Sequence, residues 1–347
     1  MNWTGDFEIV RPILITKTQM IAILQKEIGG AETLHIGQTE TPSAPKDDEI
    51  LVKVHTTALN RADILQREGK YPPPKGESDI LGLEFAGEIV AIGDRVEELK
   101  VGDRVAGLVG GGSYAEFLKT HEQQVFKIPD ELSFVQAAAI PEVFITADYC
   151  LTVLSIVDED SKVLIHAGAS GVGTAAIQLA KLYEAPTIFA TASERKHPAC
   201  LSLGADMAID YKKEDFVKRI KEETNGEGVD VILDFVGADY FQKNLSCLAV
   251  DGQMVMLAFL GGFKVPNVNL LPIVAKRLMI SGVTIRNQNR FFKEARTDKL
   301  KELLPHFVSG ELKPVIDTVY DWTEVRQAHE YMESNQNIGK IILKVRD

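Results

Sequence analysis

The segment that most constrains the fold is a glycine-rich turn between an apolar run and an amphipathic stretch. Residues 163–166 form the run, the turn spans 167–173, and helix-like periodicity follows to residue 182. Glycine lets the backbone approach a pyrophosphate, and the next helix offers free N–H groups and the positive end of its dipole. The turn departs from strict G-x-G-x-x-G because Ala167 takes the first glycine position. We predict that a dinucleotide phosphate binds at Ala169, Ser170, Gly171, Val172 and Gly173.

Five further apolar runs favour this interpretation over a tight turn whose glycines serve only packing. They occupy residues 187–191, 208–210, 229–235, 253–259 and 279–285. Amphipathic stretches such as 173–182 and 214–223 lie between them. Short apolar strands separated by helices indicate a parallel sheet that is covered on both faces. Six strands are what a complete doubly wound dinucleotide fold requires.

The regions before and after these apolar runs have a different pattern of strands and turns. Strand candidates at 50–54, 87–92 and 105–109 alternate with turns, and the proline-rich stretch 71–76 is expected to be a loop. A last strand candidate at 339–344 is expected to rejoin the first sheet. The predicted class is α/β, a doubly wound six-stranded parallel sheet inserted in a mainly β domain. The expected parts are an extension at 1–19, a substrate domain at 20–143 plus 287–347, and a nucleotide-binding domain at 144–286.

Composition excludes several classes of protein. The 347 residues carry a net charge of −12, which disfavours a nucleic-acid partner because such surfaces are usually basic. The three cysteines are widely spaced, so they form neither a disulfide framework nor a close-spaced zinc motif. No stretch of about 18 uninterrupted apolar residues is present, so no membrane partner is expected. We expect a reducing, cytoplasmic location.

The residues after the second apolar run bear on the choice between NADP and NAD. Ser193 is small, and Arg195 and Lys196 suit the 2′-phosphate of NADPH because charge-assisted bonds to phosphate are strong. Glu194 would instead favour the ribose hydroxyl of NAD if it pointed inward. A solvated helix start also explains the two basic residues. NADPH is the predicted cofactor.

No metal or nucleophile motif accompanies this loop. The seven histidines form no recognisable ligand pair, and no G-x-S-x-G is present. His166 stands at a strand end beside the loop, where we expect a hydrogen-bonded core histidine rather than a base.

A set of motifs in fixed order resembles the medium-chain dehydrogenases/reductases, and within them the zinc-free quinone oxidoreductases. The motifs lie at residues 60–63, 82–87, 101–105, 112–116, 137–141 and 167–173. The resemblance implies that the mainly β domain is GroES-like. In the zinc alcohol dehydrogenases of this superfamily a cysteine would stand at Asn60 and a histidine at Leu83. The resemblance therefore implies no metal, and an acceptor that takes hydride with little help, such as a quinone or activated enone.

The same resemblance implies residue roles. Substrate or catalytic roles fall to Asn60, Tyr71 and Thr146, although Tyr71 also fits an aromatic that anchors its proline-rich loop. The 2′-phosphate would be held by Ser193, Lys196 and Tyr211. The nicotinamide would lie against Phe259, Leu260 and Gly261.

The expected function is NADPH-dependent reduction of a quinone or activated enone by metal-free hydride transfer. Two alternatives stay open: an enone or 2-enoyl thioester reductase, and a non-enzymatic, NADPH-binding structural or RNA-binding protein like some lens crystallins. The resemblance also implies a homodimer or homotetramer joined through the edge of the nucleotide-domain sheet, where we expect the strand at residues 279–285.

Overall fold

The computed structural model describes residues 18–345, in which strands and helices alternate along most of the chain. The strands are β1 (Gln19–Gln25), β2 (Leu34–Glu40), β3 (Glu49–Ala58), β4 (Glu84–Ile92), β5 (Arg104–Leu108), β6 (Phe117–His121), β7 (Val125–Lys127), β8 (Lys162–Ile165), β9 (Thr187–Ala192), β10 (Met207–Asp210), β11 (Val229–Asp234), β12 (Leu248–Met256), β13 (Met279–Gly282), β14 (Ile316–Asp321) and β15 (Lys340–Lys344). The α-helices are α1 (Arg61–Arg67), α2 (Phe134–Ala138), α3 (Pro141–Tyr149), α4 (Gly171–Leu182), α5 (His197–Ser202), α6 (Phe216–Glu223), α7 (Ala238–Cys247), α8 (Leu271–Ala275), α9 (Arg290–Ser309) and α10 (Val325–Glu333).

One sheet is parallel and contains the six predicted strands. Its order is β10-β9-β8-β11-β12-β13, so β8 and β11 are central and the chain reverses its winding between them. Strands β8, β9 and β11 are almost fully buried because helices cover the sheet on each side, whereas the edge strand β13 is partly exposed. This is the doubly wound arrangement predicted from the sequence, and its ligand crevice lies at the carboxyl ends of the central strands.

A second sheet has the order β14-β15-β3-β4-β5-β7, with β6 also pairing with β3. Strand β15 runs antiparallel to β3, so the last strand rejoins the first sheet as predicted. Strands β1 and β2 form a separate antiparallel pair.

The two sheets share one continuous core. A single apolar cluster joins Ala86 of the mixed sheet to Val163 of the parallel sheet. Helices α3 and α9 meet within it, with the rings of Phe144 and Phe307 at 4.7 Å in an edge-to-face contact. The two sheets are therefore joined by packed side chains as well as by the chain itself.

Some expectations differ in detail from the structure. The strand expected at 279–285 ends at Gly282, and Ile285 is buried beyond it because the chain turns inward there. The boundary expected between 143 and 144 falls inside α3, and the division into domains stays a prediction. The expected extension at 1–19 lies outside the described residues except for 18 and 19, and Gln19 begins β1.

Candidate functional site

The glycine-rich turn connects β8 to α4 at the carboxyl end of the parallel sheet. Ala167 adopts a positive φ of 48°, the conformation that its position in the turn requires. A Cβ on Gly173 would lie 2.4 Å from the Ala167 carbonyl oxygen, so only glycine fits. Ser170 caps α4 by accepting a hydrogen bond from the Gly173 N–H at 3.0 Å. The turn is thus a close-packed backbone cradle that opens on a helix N-terminus, which fits a pyrophosphate.

His166, at the end of β8, is a hydrogen-bonded core residue, as predicted. Its ring nitrogens lie 3.0 Å from Thr191 Oγ1 and 2.8 Å from Asn244 Oδ1. Burial lowers the pKa of His166 to about 4, so the ring is neutral at physiological pH.

The residues expected at the adenosine ribose follow β9 and β10. Glu194 is exposed, and its carboxylate is engaged in an ion pair with Lys213. Lys196 is half-buried, and its Nζ donates to the carbonyls of Asn335 at 2.8 Å and Asn337 at 2.7 Å. Burial, followed by the charge of Arg195, holds the Lys196 pKa below its ordinary value.

The same corner carries additional positive charge. Arg195 donates to the Gln336 carbonyl at 2.6 Å. Lys212 places its Nζ 6.0 Å from the ring centre of the exposed Tyr211, and its charge also lowers the pKa of Lys196. We call Arg195, Lys196 and Lys212 the ribose-end cluster. Ser193 is partly buried, directly follows β9 and stands at the N-terminal cap position of a short 3-10 turn.

The loop after β12 lies at the same edge of the sheet. The N–H groups of Leu260 and Gly261 donate to the carbonyls of Phe235 and Val236, at 3.1 and 2.7 Å. The side chains of Phe259 and Leu260 are exposed. The loop therefore has an ordered backbone and an uncovered apolar surface, at the place where the nicotinamide is predicted.

A buried polar cluster lies beneath the phosphate loop, and we call Asn60, Glu84 and Lys340 the floor cluster. Lys340 Nζ lies 2.7 Å from Glu84 Oε1 and donates to Asn60 Oδ1 at 2.6 Å. Asn60 Nδ2 donates to Glu84 Oε1 at 2.9 Å. Both ends of the Asn60 amide are engaged, so the structure places Asn60 in the framework of the crevice. A Cβ on Gly171 would lie 3.0 Å from Lys340 Cδ, which brings the cluster against the phosphate loop.

The first two turns of α3 border the floor cluster. The Glu142 N–H donates to Glu84 Oε2 at 2.8 Å, which fixes the start of the helix against this carboxylate. Two side-chain atoms here, Glu142 Oε2 and Thr146 Oγ1, are buried and have no hydrogen-bond partner within the described part of the chain. Unpaired buried polar atoms are costly, so these two atoms are candidates for contact with a ligand.

Tyr71 stands apart from the floor cluster. Its hydroxyl lies 2.8 Å from Thr284 Oγ1, and the Arg286 guanidinium carbon lies 5.4 Å from its ring centre. Arg286 is buried and also donates to the Gly110 carbonyl at 2.8 Å. Tyr71 thus anchors its proline-rich loop, and its hydroxyl remains at an exposed contact where it can also meet a ligand.

Four polar residues of the site were not singled out from the sequence, namely Glu84, Glu142, Arg286 and Lys340. The available signal was charge inside apolar surroundings. Glu84 interrupts an otherwise apolar and glycine-rich run, and Lys340 directly precedes three apolar residues of β15.

The floor cluster does not fit a zinc ion. The Lys340 ammonium already neutralises Glu84, Leu83 offers no donor atom, and Asn60 is bonded at both ends. Across residues 18–345, no group of three or more His, Cys, Asp or Glu side chains is arranged to hold a metal.

Comparisons with known proteins agree with this geometry. Residues 46–130 match the family model described as alcohol dehydrogenase GroES-like domain, and 203–343 match the model described as zinc-binding dehydrogenase. The human synaptic vesicle membrane protein VAT-1 homolog-like is 32% identical over 94% of this chain and 81% of its own length. Human quinone oxidoreductase is 30% identical over 93% of this chain and 97% of its own.

A solved structure extends the likeness to three dimensions. The quinone oxidoreductase of Escherichia coli, complexed with NADPH, superposes with a TM-score of 0.83 at 32% identity, over 94% of this chain and 99% of that one. None of the helices described between 18 and 345 combines the length and apolar character needed to cross a bilayer. The fold, the phosphate cradle and these relatives show that the chain belongs to the medium-chain dehydrogenase/reductase family and is an oxidoreductase.

Proposed function

We propose that this protein is an NADPH-dependent quinone oxidoreductase that reduces a quinone or an activated enone without a metal. The floor cluster is the observation that supports the proposal. Next to the phosphate cradle, the Lys340 ammonium lies against the buried Glu84 carboxylate. Bound NADPH supplies the hydride. The protein supplies position and a dry crevice, which together provide much of the rate in such reactions.

The choice of NADPH over NADH is supported by the ribose-end cluster. Arg195 and Lys196 donate to neutral carbonyl groups, and after burial the like charges of Arg195 and Lys212 contribute to the lowered pKa of Lys196. A 2′-phosphate would neutralise them, whereas a ribose hydroxyl would not. Glu194, the residue that would favour NAD, is turned to Lys213. Ser193, Lys196 and Tyr211 are the proposed 2′-phosphate ligands.

The other residues of the crevice are proposed to contact the pyrophosphate, the nicotinamide and the substrate. The proposed pyrophosphate site is the backbone of 169–173, and the proposed nicotinamide contact is the loop Phe259, Leu260 and Gly261. Thr146 is the proposed polar contact near the reacting carbon. Asn60 holds the floor of the crevice through Glu84 and Lys340, and Tyr71 borders its mouth.

The first experiment is a binding titration. NADPH should change its fluorescence on binding and should stabilise the protein by about 2.7 kcal/mol when present at about 100 times its Kd. Unaltered fluorescence and melting would refute the proposal. Rates on 1,2-quinones, 2-alkenals and 2-enoyl thioesters then identify the acceptor, and turnover of thioesters alone would select the second candidate. Tight binding of AU-rich RNA that NADPH displaces would instead favour the non-enzymatic alternative.

We also propose a cytoplasmic homodimer or homotetramer joined through the edge of the parallel sheet. Strand β13 ends the strand order, and Met279 on it is exposed, as are Leu271 and Val274 on the neighbouring α8. An uncovered edge with apolar side chains is a ready surface for pairing. The double variant Val274→Asp/Met279→Asp should sediment as a monomer, with melting behaviour close to that of the wild type. A wild-type protein that is monomeric at micromolar concentration would contradict the proposal.

A further inference from the structure

Helix α3 carries two side-chain polar atoms for which the described part of the chain offers no hydrogen-bond partner. Glu142 and Thr146 are four residues apart, so their side chains share a helix face. Glu142 Oε2 and Thr146 Oγ1 are both buried and lack a partner among residues 18–345. Between them in the sequence, Val143 Cγ1 would lie 3.0 Å from a Cβ on Gly171 of the phosphate cradle. The pair therefore lies where the cradle and the floor cluster meet.

The other polar groups around this place are already engaged. Lys340 Nζ is bonded to the Leu59 carbonyl, to Asn60 and to Glu84. The Asp63 carboxylate accepts hydrogen bonds from the Asn60 and Gly82 N–H groups, at 2.8 and 3.0 Å. Glu84 and Asp63 thus act as acceptors within the framework. Glu142 differs from them because one of its carboxyl oxygens is left for a ligand.

The charges around Glu142 favour its protonated form. Burial raises the pKa of Glu142 to about 7, the Glu84 and Asp63 carboxylates add to the rise, and Lys340 and Arg286 oppose it. These groups come from β4, α1, β15 and the segment after β13, the elements that surround the start of α3. Close to neutral pH a large share of Glu142 therefore carries a proton, and an acid with such a pKa is well matched to proton transfer.

We propose that Glu142 is the proton donor of the reduction, and that it gives its Oε2 proton to the substrate oxygen that becomes negative as hydride is added. This role rests on the proposed function. The hydride brings two electrons to the quinone, the O–H bond of Glu142 breaks, and a new O–H bond forms on the substrate. Hydride and proton together give the hydroquinone. The Glu142 carboxylate then takes a proton from water after the product leaves.

The test compares Glu142→Gln with the wild type, because glutamine keeps the shape and cannot donate an acidic proton. The kcat of the wild type should fall as pH rises through about 7, since the donor is lost when the carboxyl ionises. The variant should lose this limb and turn over about 100-fold more slowly at pH 6.5. Its Kd for NADPH, measured by fluorescence, should stay within about twofold of the wild-type value.

A readout independent of activity is the pH dependence of melting without ligand. Glu142 binds its proton more tightly in the folded protein, so its contribution to wild-type stability declines as pH rises from about 4.5 through about 7. The melting temperature of Glu142→Gln relative to the wild type should therefore rise between pH 5 and 8. If the melting temperatures of the variant and the wild type differ by the same amount at pH 5 and at pH 8, the assignment is overturned.

Asp148→Asn is the matched control. Asp148 is a buried acid on the same helix with a raised pKa, mainly because of burial, and it accepts a hydrogen bond from the Tyr183 hydroxyl at 2.6 Å. This variant should keep the wild-type pH profile of kcat, and loss of the alkaline limb in it would count against Glu142.

The two possible failures are distinguishable. If the wild type reduces quinones while Glu142→Gln keeps its kcat within threefold and its alkaline limb, the inference is wrong and the function stands. If the wild type neither binds NADPH nor reduces a quinone or enone, both are wrong. Should the variant not fold, a wild-type kcat that is flat from pH 6 to 8.5 overturns the inference by itself.

Discussion

Two polar clusters border the phosphate loop, and they differ in burial and in charge. The ribose-end cluster is cationic and within reach of water, with Lys196 half-buried and Arg195 exposed. The floor cluster is almost fully buried and joins Lys340 to Glu84 in direct contact. Charge near water attracts an ionic ligand and is weakened by salt. A buried charge fixes the positions of the groups that it contacts. Removing one partner of a buried ion pair alone costs a large part of the free energy of unfolding. The first cluster should therefore govern affinity, and the second stability.

The largest expected effect tests the floor cluster. Lys340→Met removes the ammonium and leaves the Glu84 carboxylate buried without its cation, so the free energy of unfolding should fall by about 3–5 kcal/mol. Urea denaturation measures the change. The control is Lys162→Met, which removes a partly exposed ion pair with Glu227 and should cost less than about 1 kcal/mol. Equal losses of unfolding free energy in the two variants would show that the buried and the exposed ion pair contribute equally to stability.

A smaller effect, on affinity rather than stability, tests the ribose-end cluster. Lys196→Ala should weaken NADPH binding by about 10- to 100-fold, which corresponds to about 1.4–2.8 kcal/mol, and should leave NADH binding nearly unchanged. Fluorescence titrations with both nucleotides give the ratio. Added salt should weaken NADPH binding more than NADH binding. Lys218→Ala, an exposed cation on α6, serves as the control and should alter neither affinity. A variant that loses both nucleotides equally would show that Lys196 is structural.

The smallest expected effect distinguishes a hydroxyl that contacts a ligand from one that contacts the protein framework. Removing the first should stabilise the free protein, and removing the second should destabilise it. Thr146→Val replaces a buried hydroxyl that has no hydrogen-bond partner among residues 18–345, so unfolding should become harder by about 0.5–1 kcal/mol while kcat/KM falls by roughly tenfold. Thr191→Val is the matched control, because Thr191 Oγ1 lies 3.0 Å from His166 Nδ1 and this variant should lose about 1–2 kcal/mol. Destabilisation by Thr146→Val would show that its hydroxyl has a partner in the protein.

The cofactor half of this fold could be predicted from the sequence because its signals are local. The strand, turn and helix from β8 to α4 are continuous in the chain, and apolar runs mark all six parallel strands. The end of β13 was missed, since apolar character alone does not reveal that Ile285 is buried after the chain leaves the sheet.

The reacting end could be predicted only in part because its contacts are distant in the chain. Lys340 reaches Asn60 across 280 positions, and Arg286 reaches Gln66 across 220. The resemblance placed Asn60 near the reaction, but the engagement of both ends of its amide depends on partners that no local pattern indicates. Glu142, at a helix start behind a proline, carries no sequence signal that one of its carboxyl oxygens is buried.

A backbone contact between the end of the chain and the phosphate loop has a further consequence. The Gly339 N–H donates to the Ala169 carbonyl at 2.9 Å, and Gly339 pairs with Ser170 in an isolated parallel bridge. The cradle is thus completed by a residue outside the nucleotide-binding sheet. A fragment comprising 144–286 alone would lack this lateral support, so nucleotide affinity should not survive excision of that fragment. During synthesis, the cradle acquires its final support only after residue 339 has left the ribosome.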